Sequence, residues 1–184
     1  EPRDHAVAVP ARVPESFAHG APTLLPRRAA VNIPGGPRAT IASAMATTIV
    51  DVGYRSTHYW VISSGRSRLL FDIGWPGTMG TMRSMLRRRD VPIEEIRCAV
   101  ASHYHIDHAG LAQEMKDAGV PLLVLDVQVA AIPLMARFTK PHDHYVAVSL
   151  EDTVTISCRE SRATLARLGI PGEILHTPGH SPDG

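Results

Sequence analysis

The chain has 184 residues, 44% of them hydrophobic, and a formal net charge of +1 at pH 7. This length and composition allow one domain with a core of ordinary size, and the near-neutral charge argues against nucleic acid as the default partner. No run of about eighteen apolar residues predicts a membrane span, and the two cysteines predict reduced thiols rather than a disulfide framework.

The N-terminal segment differs in composition from the rest of the chain. Residues 1–44 hold seven of the fifteen prolines and no apolar periodicity, which predicts a disordered or extension segment. Met45, directly before the first strand-like run, is a candidate natural start. Arg27-Arg28 followed by Ala42-Ser43-Ala44 resembles a twin-arginine leader, but prolines and glycines interrupt its apolar part. We therefore expect a cytoplasmic protein, with a periplasmic or secreted one as the alternative.

Residues 45–184 carry the patterns of a folded domain. Three β-rich runs, 47–52, 58–63 and 68–73, are separated by Gly53 and Gly65 and predict an antiparallel meander. A helix is predicted over 78–89, where Met79, Met82 and Met85 share one face with Leu86. This methionine stripe is typical of core packing.

The second part of this domain alternates strands and helices. Strands are predicted at 97–102, 121–125, 153–157 and 173–177, and helices at 108–118, 127–137 and 160–168, the second broken near Pro133 and the last ended by Gly169. Such alternation predicts a layered α/β (α+β) fold.

The most informative segment is His103-Tyr104-His105-Ile106-Asp107-His108, which follows the apolar run 97–102. Side chains two residues apart on an extended segment point the same way, so His103, His105 and Asp107 can converge. Asp107 also precedes a predicted helix and can serve as its N-cap, a role compatible with binding a metal ion. Clustered imidazoles without a cation would be poorly compensated, which favours a metal site.

A further histidine follows the last predicted strand. His180 lies in Thr177-Pro178-Gly179-His180-Ser181, where Pro178 and Gly179 favour a tight turn at a strand end. Three histidines with one open position are the ligand set of a catalytic zinc ion rather than of a structural one. The other histidine-rich segment, residues 142–145, is interpreted as an exposed loop that could also line a cleft.

These segments, with Leu70-Phe71-Asp72-Ile73-Gly74, resemble the metallo-β-lactamase fold superfamily. The resemblance implies a four-layer αββα sandwich, of which the chain holds the N-terminal half and the beginning of the C-terminal half. It further implies His103, His105 and His180 as ligands of a first metal ion, Asp107 and His108 as ligands of a second, and Asp72 as a buried group behind the histidine loop. An alternative for Asp72 is a turn former at the strand end.

The sequence departs from the family pattern after His180. The family's bridging aspartate and last metal histidine would follow this position, so we expect a domain, 45–184, that is incomplete at its C-terminus and a second site with two ligands. One or two zinc ions are the expected cofactors, with iron as the alternative.

The resemblance implies a metal-dependent hydrolase. A zinc-bound hydroxide would attack the carbonyl of an ester, thioester, lactone or amide, with Asp107 orienting the water or accepting its proton. The expected partner is a small-molecule substrate, with no nucleic acid and no membrane, and the oligomeric state is left open. An iron-dependent oxidoreductase on the same fold and an inactive metal-binding fragment are the alternatives.

Overall fold

The computed structural model describes residues 46–184. The predicted extension 1–44, with its arginine pair, and the candidate start Met45 lie outside the described residues. No helix between residues 46 and 184 has the length and apolar character needed to cross a membrane.

The architecture is built on a four-stranded sheet with the strand order β1-β2-β3-β4. The strands are β1 (Thr47–Asp51), β2 (Trp60–Ser64), β3 (Ser67–Phe71) and β4 (Ile96–Val100). β1 to β3 pair in antiparallel fashion, as the meander prediction required, and β4 joins β3 in parallel. A second parallel pair is formed by β5 (Leu123–Leu125) and β6 (Val154–Ile156). A single bridge between Ala99 and Leu122 connects the two sheets.

Within residues 46–184, four α-helices accompany these strands: α1 (Met79–Arg88), α2 (Ile106–Ala109), α3 (Ala112–Asp117) and α4 (Cys158–Arg167). In α1, Met82 and Leu86 are buried, and Met79 and Met85 pack partly buried against the same core. The methionine stripe therefore packs as predicted.

Alternate residues of the central strands belong to two separate cores. Leu70 and Ala99 pack in the cluster that contains Met82 of α1 and Met115 of α3. Leu69 and Cys98, their chain neighbours, pack in the cluster that contains Leu165 of α4. Because successive side chains of a strand point to opposite faces, the sheet has an apolar core on each side.

The predicted helix 108–118 begins earlier and is interrupted. α2 starts at Ile106, and Gly110 separates it from α3. A Cβ atom at Gly110 would collide with the carbonyl oxygen of Ile106 and with the ring of Pro76, so the close approach of these segments requires glycine.

Two predicted elements are wrong. The helix expected over 127–137 is not α-helical and consists of two 3₁₀ segments, Asp126–Gln128 and Ile132–Arg137. The break just before Pro133 agrees with the prediction, because proline cannot donate the hydrogen bond of a continuous helix. Residues 173–177, expected to form a strand, pair with no strand in the part of the chain that the structure describes. The N–H of Ile174 donates instead to the hydroxyl of Ser161, at 2.9 Å, and Leu175 is 66% exposed.

Candidate metal centre

The first two histidines of the centre lie on the loop between β4 and α2. His103 is buried and His105 is exposed, and 3.0 Å separates Nε2 of His103 from Nδ1 of His105. The loop is extended at His105, with φ −97° and ψ 157°, before the chain turns into α2. The extended backbone places the rings of His103 and His105 on the same side of the loop, as the alternation argument predicted. The prediction was wrong for Asp107, which lies in the first turn of α2 and is neither on the extended segment nor at the N-cap position, held by His105.

The third histidine reaches this loop from the C-terminal part of the chain. Nε2 of His180 lies 3.2 Å from Nδ1 of His105, although 75 positions separate the two residues in the sequence. The ring centroids of His103 and His180 are 5.1 Å apart. One nitrogen from each of the three rings lies within 4.8 Å of the other two. The structure thus brings together the three residues that the sequence proposed as ligands of one ion.

The donor set fits a zinc ion. Tetrahedral coordination with zinc–nitrogen distances of about 2.0–2.1 Å separates ligand nitrogens by about 3.3 Å, close to the spacings of 3.0 and 3.2 Å around His105. A ring nitrogen carries either one hydrogen or one lone pair, so Nδ1 of His105 cannot form good hydrogen bonds with both neighbours. A shared cation would satisfy all three nitrogens at once.

Ser102 and burial favour the neutral form of the His103 ring. The hydroxyl of Ser102 lies 2.9 Å from Nδ1 of His103, so a proton on Nδ1 leaves the lone pair of Nε2 directed at His105. Burial lowers the pKa of His103 below its ordinary value, and the nearby His108 and His105 lower it further. Only the neutral imidazole binds a metal ion, so both effects favour the ligand form.

Asp107 and His108 form a second pair of donors next to the three histidines. Oδ2 of Asp107 lies 3.4 Å from Nε2 of His108, and the ring centroids of His108 and His103 are 4.2 Å apart. The hydroxyl of Thr57 donates to the same Asp107 oxygen, at 3.3 Å. The pair offers one oxygen and one nitrogen on one side of the site, and its assignment to a second ion stays a prediction.

Asp72 lies behind the histidine loop and contacts it twice. Its carboxylate accepts a hydrogen bond from the N–H of Ser102 at 2.7 Å and faces Nδ1 of His108 at 2.8 Å. Burial lowers the pKa of His108, but the hydrogen bond that its Nδ1 donates to Asp72 and the charges of Asp72 and Asp107 outweigh this effect, so that pKa is raised overall. Asp72 has φ 62°, a left-handed conformation that aspartate tolerates better than most residues. Asp72 makes its contacts with Ser102 and His108 in this left-handed conformation.

Two further residues contact the histidine loops without having been predicted. The buried Gln128 donates to the carbonyl oxygens of Ala101 and Ser102, at 2.9 and 3.2 Å. The buried Asp183 accepts a hydrogen bond from the N–H of Tyr104, at 2.8 Å. Their spacing in the sequence gives no signal, because each contact depends on segments that meet only in the folded chain.

Three other histidines of the described residues have partners elsewhere. His58 pairs with Asp51, at 2.8 Å, and His142 lies 3.7 Å from Asp143 with its side chain 75% exposed. Nε2 of His176 lies 2.9 Å from the carbonyl oxygen of Pro182. These residues do not belong to the group of three histidines whose nitrogens converge.

Comparison with solved structures identifies the fold. A subclass B3 metallo-beta-lactamase of Bradyrhizobium japonicum matches with a TM-score of 0.53 at 21% identity, covering 76% of this chain and 52% of its own. A metallo-beta-lactamase of Elizabethkingia meningoseptica matches with a TM-score of 0.56 at 16% identity, covering 76% and 52%. One from Cronobacter sakazakii gives 0.55 at 20% identity, covering 73% and 54%. The chain therefore has the α+β sandwich fold of these proteins and spans about half of their length.

The comparison of sequences identifies the family. A search of curated proteins gave no match. The sequence model of the Metallo-beta-lactamase superfamily, by contrast, matches residues 52–184, which include both histidine loops. The chain belongs to the metallo-beta-lactamase superfamily.

Proposed function

We propose that this chain is a metal-dependent hydrolase that binds zinc through His103, His105 and His180 and cleaves an ester, thioester, lactone or amide of a small molecule. The observation that carries the proposal is the approach of three imidazole nitrogens to within 4.8 Å of one another. A bound zinc ion supplies a Lewis acid and lowers the pKa of water to about 7. The domain that we propose for this activity is 45–184, acting in the cytoplasm, where its two free thiols would stay reduced.

Side chains around the three histidines would accept the proton, hold a second cation and orient the ligands. Asp107 accepts the proton of the attacking water, and the Thr57 hydroxyl, 3.3 Å from its Oδ2, holds the carboxylate in place. Nε2 of His108 lies 3.4 Å from the same oxygen, and His108 would hold a second cation together with Asp107. Asp72 fixes the orientation of the His108 ring through the contact at Nδ1, which leaves Nε2 free to face the site.

The test combines metal analysis with hydrolysis. Protein purified without added chelator is analysed for zinc and iron and assayed against a panel of activated esters, thioesters, lactones and β-lactam amides. We expect bound zinc and hydrolysis of at least one class, lost after treatment with a chelator and restored by zinc. Iron in place of zinc would favour an oxidoreductase, and metal binding without hydrolysis would favour an inactive metal-binding fragment.

A pair of variants links the activity to the proposed site. His105→Ala removes the nitrogen that both other histidines approach, so metal content and hydrolysis should fall together. His142→Ala is the matched control, because this histidine is exposed and lies outside the group of three. Unchanged metal content and hydrolysis in a folded His105→Ala variant would contradict the proposal.

A further inference from the structure

One buried carboxylate connects the two histidine loops. Asp183 is 4% exposed, and its Oδ2 accepts a hydrogen bond from the N–H of Tyr104, at 2.8 Å. Tyr104 stands between His103 and His105, whereas Asp183 follows His180 by three positions. The bond therefore joins the backbone that carries two of the proposed ligands to the loop that carries the third, across 79 positions of sequence.

The position of the loop around His180 depends on contacts such as the bond between Asp183 and Tyr104, because residues 168–184 contain no helix or strand that would hold it. Its own hydrogen bonds, from Thr177 N–H to the Gly184 oxygen at 2.8 Å and from Gly184 N–H to the Ser181 oxygen at 3.3 Å, close the loop on itself. The hydroxyl of Ser181 donates to Oδ1 of Asp183. These contacts fix the shape of the loop, and the bond to Tyr104 fixes its place against the other loop.

We propose that Asp183 is the positioning residue that holds the His180 loop against the loop of His103 and His105 and so assembles the three-histidine site. The proposal deepens the proposed function, because it explains how the third ligand is held in place. A hydrogen bond from a backbone N–H to a carboxylate is stronger than one to a neutral acceptor. The burial of Asp183 also keeps water from competing for this bond.

Two substitutions distinguish the hydrogen bond between Asp183 and Tyr104 from the negative charge of Asp183. In Asp183→Ala both hydrogen bonds are lost. In Asp183→Asn the amide oxygen can still accept from the N–H of Tyr104, and the amide NH₂ can donate to the hydroxyl of Ser181. Ser157→Ala is the control for general destabilisation, because Ser157 lies at the start of α4, where its N–H and hydroxyl donate to the Glu160 carboxylate at 2.8 and 2.9 Å.

The first measurement needs no metal. Hydrogen exchange of the metal-free protein should show a protected Tyr104 amide in the wild type and in Asp183→Asn. In Asp183→Ala this amide and those of residues 177–184 should exchange much faster, whereas Ser157→Ala should leave them unchanged. Unaltered exchange of the Tyr104 amide and of residues 177–184 in Asp183→Ala would overturn the proposal.

The second measurement is the affinity for Co²⁺, followed through its visible absorption spectrum. We expect Asp183→Ala to bind Co²⁺ about 10–100-fold more weakly than the wild type, as is typical when a residue that orients metal ligands is lost. Asp183→Asn should stay much closer to the wild type, and Ser157→Ala should match it. Equal affinity of Asp183→Ala and the wild type would also overturn the proposal.

The two measurements distinguish this inference from the proposed function. A wild-type protein that binds no Co²⁺ or Zn²⁺ would contradict the proposed function, and hydrogen exchange would still decide whether Asp183 joins the loops. A protein that binds metal but hydrolyses no substrate would contradict only the proposed activity, since both measurements on Asp183 are made without substrate.

Discussion

The carboxylate of Asp72 joins the end of β3 to the ring of His108: its Oδ2 lies 2.8 Å from Nδ1, while 36 positions separate the two residues. Because the other carboxylate oxygen accepts from the N–H of Ser102, at 2.7 Å, one side chain orients both the ring and the backbone that leads into His103. Substitutions of Asp72 should therefore weaken metal binding indirectly, by changing the orientation of the His108 ring and of the backbone before His103.

Asp72→Asn and Asp72→Ala should distinguish two roles of Asp72: orienting the His108 ring and adopting a left-handed backbone conformation. Asparagine tolerates the left-handed φ of 62°, so Asp72→Asn should keep most of the stability while metal affinity falls by about tenfold. Asp72→Ala should lose about 1 kcal/mol of stability as well. Asp90→Ala is the control, because Asp90 has φ 55° at the end of α1, and it should lose stability alone. Calorimetric titration with zinc and urea denaturation give the two quantities. Wild-type affinity in both Asp72 variants would contradict this role.

His180→Ala should weaken metal binding more than any change behind the ligands. The ring is exposed, so we expect little change in the free energy of unfolding of the metal-free protein. Zinc affinity should fall by more than the roughly 10–100-fold that is typical of a supporting residue. Titration of His180→Ala beside His142→Ala measures this difference. Equal affinities would mean that the third ligand is not His180.

Gln128 should contribute to stability next to the site. Its amide donates to Ala101 and Ser102 and accepts from the N–H of Leu125, at 3.1 Å, with the side chain 1% exposed. Gln128→Leu leaves these backbone groups without partners, and we expect a loss of about 1–3 kcal/mol in the free energy of unfolding. Gln113→Leu, whose hydrogen bonds lie at the surface, is the control. A loss no larger than that of the control would show that the amide contacts contribute little.

The two cysteines should differ in reactivity. Cys98 is buried in β4, and burial raises the pKa of its thiol to about 12, whereas Cys158 is half-buried at the start of α4. The thiolate is the reactive form, so Cys98 should resist a thiol reagent at pH 8. We expect one reactive thiol per native chain and two after denaturation, with Cys158→Ser removing the native one. Rapid labelling of Cys98 in native Cys158→Ser would contradict the buried position.

The sequence predicted those parts of the fold in which local pattern and tertiary contacts agree. The meander β1-β2-β3 and the methionine stripe of α1 have clear periodicity, and the structure confirms both. The strand at 173–177 fails because apolar alternation does not reveal whether a neighbouring strand exists to pair with it. The start of α4 at Cys158 was signalled by Ser157 and Glu160, which form a capping box that periodicity alone overlooks.

The candidate site likewise contains residues that the sequence predicted and residues that it did not. His103 and His105 are close in the sequence, and their convergence follows from an extended backbone. The approach of His180 to His105 was expected from a turn at the end of a predicted strand and from the family resemblance; the two rings meet although that strand does not form. The contacts of Asp183 and Gln128 with the loop of His103 were not predicted, because they are made to backbone atoms, which every residue type possesses.

The distance in sequence between His105 and His180 has a consequence for the unfolded chain. An ion that joins these residues closes a loop of 75 positions, as a covalent cross-link would. For a disulfide that closes such a loop, the lost chain entropy corresponds to about 4 kcal/mol. Metal binding would thus hold the loop of His180 against the loop of His105. Removal of the ion would return this conformational entropy to the unfolded chain.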